Sequence, residues 1–277
     1  MFHWIESGIR YWLLWLDRFR VFRSIFEIVA DICTDRTVDV YHGKIHAKFS
    51  VPNKLTRFRA ETISIKEPET LDWIDSFPSK SILWDVGANI GIYSVYAAKK
   101  AHEVVAFEPS FANLHLLAAN IDINNITDRV SIITNPLGDE FGVGMMYLSS
   151  MRFGTAFATF DTNIGWDGNP IDPKFAYSTL GTTIDKMIQD CGVPKPDYIK
   201  IDVDGIEHLI LKGAEATLPN VKGLLIEVND DFVEQANQVN HLLVSNGFSL
   251  AKKTHSDMIE QSKDYSNVYN QIWQRKG

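Results

Sequence analysis

A glycine-rich loop in the first half of the chain carries the strongest chemical signal. Gly87 and Gly91 follow an apolar run over 81–86 that is typical of a buried strand. Glycines at such a turn let a ligand approach the backbone closely. Glu108 ends the next apolar run, 17 residues after Gly91, and an acid there can accept hydrogen bonds from both hydroxyls of a ribose. The two features together indicate a site for an adenosine-type cofactor.

The spacing within this loop selects among adenosine cofactors. A dinucleotide site uses G-x-G-x-x-G, whose middle glycine permits close approach to a pyrophosphate, whereas this loop has only G-x-x-x-G. Asp85 opens the loop, and a carboxylate suits an amino-bearing ligand better than a phosphate. The combination favours S-adenosylmethionine, which carries an ammonium group beside a sulfonium. An NAD(P)-dependent oxidoreductase is the enzyme alternative; Tyr96 and Lys100 have the spacing of its catalytic pair but lie on the wrong helix.

A second cluster of chemistry-bearing residues follows the apolar run 198–203. Three acids and a histidine fall within seven positions, namely Asp202, Asp204, Glu207 and His208. Methyl transfer to a hydroxyl requires a base for the hydroxyl proton, and a carboxylate or His208 could accept it. Asp202 could instead hold a divalent cation such as Mg²⁺ together with Glu227, which ends the next apolar run. Asp204 and Glu207 also have the spacing of a helix N-cap and its capping-box partner, and His208 is readily explained as a packed helix residue.

Strands and helices alternate around these motifs. Helical patterns separate five buried-strand patterns, at 81–86, 102–108, 129–134, 198–203 and 223–228. This alternation predicts an α/β fold with a parallel sheet covered on both faces. Ligands of such sheets bind beyond the carboxyl ends of the strands, so the two motifs should share one rim. The aromatic and polar segment 149–180 is too long for a plain connection, which favours a functional loop that suits a sugar.

The overall composition narrows the class of protein. The 277 residues are 45% hydrophobic and 22% charged, which excludes a disordered chain and a polytopic membrane protein. A formal net charge of −8, from 27 basic and 35 acidic residues, disfavours nucleic acid as a partner. Cys33 and Cys191 are far apart without metal-ligand spacing, which fits reduced thiols in a cytoplasmic protein.

The N-terminal segment is unusually aromatic. Apolar residues recur at helical spacing over 2–32 and predict an amphipathic helix, while the run 11–16 is too short to span a bilayer. This helix could pack on the main domain, on a second copy of the chain or, peripherally, on a membrane surface. A hairpin is expected over 44–64. We therefore predict a helical extension over 1–45 and one main domain over 46–277, with a catalytically silent, membrane-docked cofactor-binding adaptor as the non-enzyme alternative.

Three motifs in the right order resemble the FkbM-type methyltransferases. They lie at 84–94, 106–110 and 199–207, and the resemblance extends over about 60–250. It implies a Rossmann-like, seven-stranded and mostly parallel sheet whose last strand is antiparallel, with helices on both faces. It also implies S-adenosylmethionine-dependent O-methylation of a hydroxyl on a sugar, glycan, glycolipid-like intermediate or related metabolite, as in polysaccharide biosynthesis.

The resemblance also implies roles for individual residues. The methionine part of the cofactor would lie among Gly87, Asn89 and Gly91. Glu108 would hold the ribose, and the residues that follow it would flank the adenine, namely Pro109, Ser110 and Phe111. The adenine amino group would meet either Asn135, at the end of the third strand, or Asp139.

Overall fold

The structure is a computed structural model that describes residues 2–255, 257–260 and 265–275. Its strands are β1 (Thr37–His42), β2 (Ile45–Ser50), β3 (Ile82–Val86), β4 (Glu103–Phe107), β5 (Val130–Ile133), β6 (Gly142–Leu148), β7 (Ala158–Phe160), β8 (Phe175–Gly181), β9 (Tyr198–Ile201), β10 (Gly223–Asn229), β11 (Phe248–Thr254) and β12 (Val268–Arg275). Its α-helices are α1 (Phe2–Leu16), α2 (Arg20–Thr34), α3 (Lys54–Glu61), α4 (Ile63–Lys66), α5 (Pro68–Asp75), α6 (Ile92–Lys99), α7 (Phe111–Ile123), α8 (Ile184–Gln189), α9 (Glu207–Lys212), α10 (Val233–Ser245) and α11 (Asp257–Glu260).

A seven-stranded sheet in the order β11-β12-β10-β9-β3-β4-β5 forms the centre of the molecule. The pairs β10·β9, β9·β3, β3·β4 and β4·β5 are parallel. The last strand, β12, is antiparallel to both of its neighbours. The predicted mostly parallel sheet with an antiparallel last strand is therefore confirmed, and the five predicted buried strands form its parallel part.

The sheet is buried on both faces because its strands are apolar on both sides. In β3, Leu83 and Trp84 are both fully buried but belong to opposite apolar clusters. Helices α5, α6 and α7 complete the cluster of Leu83, while α8, α9 and α10 complete that of Trp84. Helices thus cover both faces, which leaves the ends of the strands as the accessible edges.

Two predicted segments differ from the structure. The segment 149–180 is not simply a loop, because it supplies β7 and β8 to a separate antiparallel sheet in the order β7-β6-β8. The predicted hairpin over 44–64 is displaced toward the N-terminus and consists of β1 and β2. Asn53 instead begins α3, where its side chain accepts a hydrogen bond from the Thr56 backbone and completes a capping box.

The N-terminal segment forms two helices where one was expected, α1 and α2. Among the side chains described there, only Leu16 is buried. A stripe along α2 is between 46% and 70% exposed and consists of Val21, Ile25, Ile28 and Ile32. The packing of this segment on the main domain is therefore not seen, while a membrane surface and a second copy stay predictions. In the part of the chain that the structure describes, no helix is long and apolar enough to cross a membrane.

Candidate active site

Two cavities open at the carboxyl edge of the large sheet. The first, which we call the slot, is lined by Phe107, Glu108, Asn113, Asn135, Leu137, Met146, Phe160, Ile206 and Ile210. The second, which we call the chamber, has a volume of about 540 Å³ and is lined by Phe58, Arg59, Lys66, Glu67, Phe157, Trp166, Glu227 and His255, among others. Both cavities share a wall made by Gly87, Asn89, Thr155, Ala156, Asp202 and Asp204. The glycine loop and the acid cluster therefore meet at one rim, as their positions after β3 and β9 predict.

Glu108 lies at the base of the slot and is only 5% exposed. Its carboxyl oxygens accept hydrogen bonds from the backbone N–H of Asn89 (2.7 Å) and of Ser110 (2.8 Å). Burial raises the pKa of Glu108 to about 8 although these two bonds oppose the rise. In its ionised form each oxygen of this carboxylate has a further lone pair, so the ionised group can still accept hydrogen bonds from two ligand hydroxyls.

The two glycines of the loop are required for different physical reasons. Gly87 has φ +84°, and a Cβ there would lie 1.9 Å from the backbone oxygen of Asp202. Gly91 has φ +83°, and a Cβ there would lie 2.5 Å from the Leu117 side chain on α7. Gly87 therefore lets the loop after β3 touch the end of β9, which creates the shared wall, whereas Gly91 lets α6 and α7 pack.

A short segment that we call the strap, residues 152–157, crosses between the cavities. Asn89 and Asn113 both donate side-chain hydrogen bonds to the carbonyl oxygen of Thr155, at 3.0 and 2.9 Å. Asn113 also accepts the backbone N–H of Gly154 at 2.9 Å. The glycine loop and α7 thus hold the strap in place. Asn113 is part of the site although no sequence motif indicated it.

Asp204 anchors the end of the strap. Its Oδ2 accepts the backbone N–H of Phe157 at 2.7 Å, and both residues have left-handed backbones, with φ of +64° and +63°. Such conformations in non-glycine residues cost about 1–3 kcal/mol each and concentrate at functional sites. Burial and the nearby Asp202 raise the pKa of Asp204 to about 6. Asp204 is not the N-cap of α9, because that position belongs to Ile206 and lacks a side-chain hydrogen bond.

A buried lysine orders the carboxylates behind the wall. Lys200 is 1% exposed, and its Nζ lies 2.8 Å from Oδ2 of Asp202 and 5.1 Å from the centre of the Tyr93 ring. Burial alone would lower the pKa of Lys200, but Asp202, Asp85 and Glu67 outweigh it and raise the pKa. Lys200 therefore stays charged and fixes one oxygen of Asp202, which leaves the other oxygen for the cavities.

Asp85 does not face a ligand as the sequence predicts. It is 1% exposed and lines neither the slot nor the chamber. Its Oδ2 accepts the Ser94 hydroxyl at 2.6 Å, and its Oδ1 has no hydrogen-bond partner among the described residues. The carboxylate sits behind the loop, where it acts electrostatically on Lys200.

Glu207 and His208 also lie away from both cavities. Glu207 is 1% exposed and accepts the backbone N–H of Val203 at 3.1 Å and the side-chain amide of Gln235. Burial raises its pKa to about 7 although backbone hydrogen bonds oppose the rise. His208 is 8% exposed and packs edge-on against Phe232, with 6.1 Å between the ring centres. These positions correct the expected catalytic placement, since Glu207 braces the turn after β9 and His208 packs on α10.

The two candidates for the adenine contact occupy different places. Asn135 lines the slot and donates a hydrogen bond to the carbonyl oxygen of Leu180 at 2.8 Å. Asp139 is exposed and is not part of the slot. Pro109 lines the slot, whereas Ser110 is buried outside the slot lining. Of the two candidates, the structure brings Asn135 to the cavity.

The expected divalent cation finds no support. Across the described ranges, no group of three or more His, Cys, Asp or Glu side chains is arranged to hold a metal ion. Asp202 and Glu227 both line the chamber, but one oxygen of Asp202 is already paired with Lys200. We therefore assign no metal to this site.

Several residues of the chamber escaped the sequence analysis. Glu67, between α4 and α5, accepts the Tyr93 hydroxyl at 2.7 Å and pairs with Lys66. Burial would raise its pKa, but Lys66 and Lys200 outweigh it and lower the pKa to about 2. Glu227, unlike Glu67, was already a candidate from the sequence, and burial and then Asp202 raise its pKa well above its usual range. In the sequence, the adjacency of Lys66 and Glu67 was the signal that could have indicated this ion pair. Folding then brings the pair close to the loop after β3.

This architecture defines a Rossmann-like methyltransferase fold, with a glycine loop and a ribose-type acid at the carboxyl edge of a seven-stranded sheet. Residues 85–263 match the methyltransferase FkbM domain, and the chain belongs to this family. The resemblance drawn from the three sequence motifs is thereby confirmed. The alternative of an NAD(P)-dependent oxidoreductase receives no support from this match.

Individual relatives carry more specific names. The chain is 31% identical over 156 residues to the hexuronic acid methyltransferase AglP of Haloferax volcanii, a match that covers 53% of this chain and only 56% of that protein. It is 28% identical over 193 residues to the 31-O-demethyl-FK506 methyltransferase FkbM of Streptomyces tacrolimicus, covering 61% and 73%. A crystal structure of a methyltransferase FkbM from Methylobacillus flagellatus has a TM-score of 0.50 at 16% identity, covers 79% of this chain and 52% of that one, and shows the fold alone.

Proposed function

We propose that this chain is an S-adenosylmethionine-dependent O-methyltransferase that acts on a hydroxyl of a sugar or glycan. One observation carries the proposal: an apolar slot with a ribose-type acid and a polar chamber meet at a single wall that holds Asp202. A methyl group on a cofactor in the slot would thus face an acceptor in the chamber. The function of the whole protein is a proposal, because the match to AglP covers about half of each chain.

The side chains that line the slot have the chemical properties that S-adenosylmethionine binding requires. Apolar side chains such as Phe107 and Phe160 would enclose the adenine, with Asn135 at its edge. Glu108 would accept the ribose hydroxyls, and the methionine arm would run along Gly87 and Asn89. When bound, the cofactor supplies an activated methyl group on a sulfonium.

Asp202 is our candidate for the general base. Its Oδ2 is held by Lys200, and its side chain lines both cavities. A carboxylate placed there would accept the proton of the acceptor hydroxyl while the oxygen attacks the methyl group, a role worth about 10²–10⁴-fold in rate. Asp204 stands on the same wall, where it positions the strap through Phe157.

The lining of the chamber supports a sugar acceptor. Phe157 and Trp166 present aromatic faces, while Glu67 and Glu227 offer acceptors for ligand hydroxyls. The name of the AglP relative, a hexuronic acid methyltransferase, agrees with this lining. Hexuronic acids combine several hydroxyls with one carboxylate, so we choose them as the first acceptors for a test.

The proposal is tested by two measurements on the purified full chain. Isothermal titration with S-adenosylmethionine, and with NAD⁺ in parallel, should show binding of the first alone. Transfer of a tritiated methyl group to methyl glucuronide, without added metal and again with EDTA, should then show base-stable incorporation that identifies an ether. Absence of S-adenosylmethionine binding would refute the cofactor, whereas incorporation as a base-labile ester would refute O-methylation at a hydroxyl.

A further inference from the structure

A cation beside the shared wall has no part in the chemistry described so far. Arg59 lies on α3, outside the stretch 85–263 that matches the family domain. Its side chain lines the chamber and also a small recess under the glycine loop, formed in part by Gly87, Asn89 and Ile90. An arginine from the N-terminal part of the chain therefore reaches the loop that would hold the cofactor.

Arg59 is held in place but is not neutralised. Its Nε donates a hydrogen bond to the carbonyl oxygen of Gly154 in the strap at 2.6 Å. Lys66 and Lys200, the other cations of the recess, pair with Glu67 and Asp202. Within the described ranges Arg59 forms no ion pair, so its two terminal nitrogens are available to an anionic ligand.

The order of the cavities indicates which anion this is. None of the described residues that line the slot, where the adenine would lie, is a cation. A cofactor that enters the slot with its adenine and meets Glu108 with its ribose must extend its methionine arm past Gly87 and Asn89. The recess with Arg59 shares Gly87, Asn89 and Asp202 with the slot and otherwise has a lining of its own, so it continues this path. The carboxylate at the end of the methionine arm is therefore the anionic group that would lie in the recess beside Arg59.

We propose that Arg59 binds the carboxylate of the methionine arm of S-adenosylmethionine. A guanidinium presents a planar fork of donors that matches a carboxylate, and charge-assisted bonds of this kind are among the strong ones. The inference rests on the proposed function, because it names a residue for the same cofactor. If so, α3 contributes a residue to the cofactor site although it lies before residues 85–263, which match the family domain.

A thermodynamic cycle tests this contact, because the ratio of two ligand affinities cancels any structural effect of Arg59 that is common to both ligands. Isothermal titration on the full chain compares S-adenosylmethionine with its decarboxylated analogue, which keeps the ammonium group and lacks only the carboxylate. Arg59→Gln should lower the affinity ratio of the two ligands by about 10- to 100-fold. Arg59→Lys should lower it less, because it keeps the charge without the fork.

The matched control is Arg57→Gln on the same helix. Arg57 is exposed and its Nη1 lies 3.5 Å from Glu61, so this variant should keep the wild-type ratio. An equal loss for both ligands in Arg59→Gln would overturn the proposal in favour of a role in holding the strap. An unchanged ratio with a raised KM for methyl glucuronide would overturn it in favour of an acceptor carboxylate. Failure of the wild-type chain to bind S-adenosylmethionine would instead refute the proposed function itself.

Discussion

The slot and the chamber are neighbours at one wall, yet they are built in opposite ways. The slot is lined largely by apolar side chains, which come from the ends of β3 and β4, from β6 and β7 of the small sheet and from α9. Among the described residues that line it, Glu108 is the buried acid. The chamber is lined by charged and aromatic groups that come from α3 to α5, the strap, β10 and the segment before β12. The side that we propose for the cofactor thus combines strand ends with the small sheet. The side that we propose for the acceptor is assembled mainly from connections, which are the parts of a fold that vary most readily.

The largest expected effect comes from breaking the wall that both cavities share. Gly87→Ala would place a Cβ 1.9 Å from the Asp202 backbone oxygen at φ +84°, so the loop must move. We expect S-adenosylmethionine affinity to fall more than about 100-fold and the free energy of unfolding to fall by about 2–4 kcal/mol. Titration and thermal denaturation measure the two losses. Gly142→Ala, where a Cβ would meet nothing within 4 Å, is the control and should change neither quantity.

Asp202→Asn should separate chemistry from binding. The amide keeps the shape of the side chain but is a far weaker base, so we expect kcat for methylation of methyl glucuronide to fall about 10²–10³-fold. The KM of the acceptor should change little by comparison. Lys200→Met is the companion variant, because it releases the Asp202 oxygen held at 2.8 Å and should lower kcat by a smaller factor. Normal turnover in Asp202→Asn would eliminate it as the base.

Glu108→Gln should weaken the slot and stabilise the protein. Loss of the ribose acceptor should lower S-adenosylmethionine affinity about 10-fold or more. Burial raises the pKa of Glu108 from about 4.5 to about 8. Between these values the unfolded chain loses this proton while the folded state keeps it, so the wild type is destabilised progressively as pH rises.

The stability gain of Glu108→Gln should therefore be absent near pH 4 and fully developed above pH 8. At the higher pH it should reach at least about 1 kcal/mol in the free energy of unfolding. Urea denaturation at a series of pH values gives this difference. A gain that is equally large at pH 4 would show that the effect is packing and not ionisation.

A crossed pair of aromatic substitutions should distinguish the two cavities directly. Trp166→Ala in the chamber should raise the KM of methyl glucuronide about 10-fold and leave cofactor affinity unchanged, while Phe160→Ala in the slot should weaken cofactor binding most. Titration with S-adenosylmethionine and steady-state kinetics report the two effects. If both variants weakened both ligands equally, the slot and the chamber would be one site.

The smallest effect on the site is expected from removing the N-terminal helices. Among the residues of α1 and α2 whose side chains the structure describes, none lines the slot or the chamber. Deletion of residues 1–35 should therefore keep cofactor affinity within about 2-fold of wild type. The same variant separates the two predictions for the exposed stripe on α2. Loss of flotation with anionic vesicles would indicate a membrane surface, and loss of a dimer in light scattering would indicate a second copy.

The slot was largely predictable because its parts are local in sequence. A strand, a glycine loop and an acid on the next strand form a pattern that is visible in a single sequence, so the meeting of Gly87, Asn89 and Glu108 at one cavity could be predicted. The sequence pattern misplaced Asp85, Glu207 and His208, because it shows that a polar residue lies near the end of a strand but not which way its side chain points. The chamber was only partly predictable: the sequence indicated Asp202, Glu227 and the segment 149–180. It did not indicate Arg59 or Glu67, which meet Trp166 there from about 100 residues away along the chain.

The sequence by itself determined the order of the parallel strands and the helices between them, the mostly parallel sheet and the edge at which its chemistry gathers. These follow from apolar periodicity and from glycines whose backbone conformation other residues adopt only with strain. Only the tertiary structure decided which carboxylates face a cavity and which brace a turn. The physical reason is burial: Lys200 pairs with Asp202 and sits among Asp85 and Glu67, and such charges are tolerated in an interior only when folding brings their partners together.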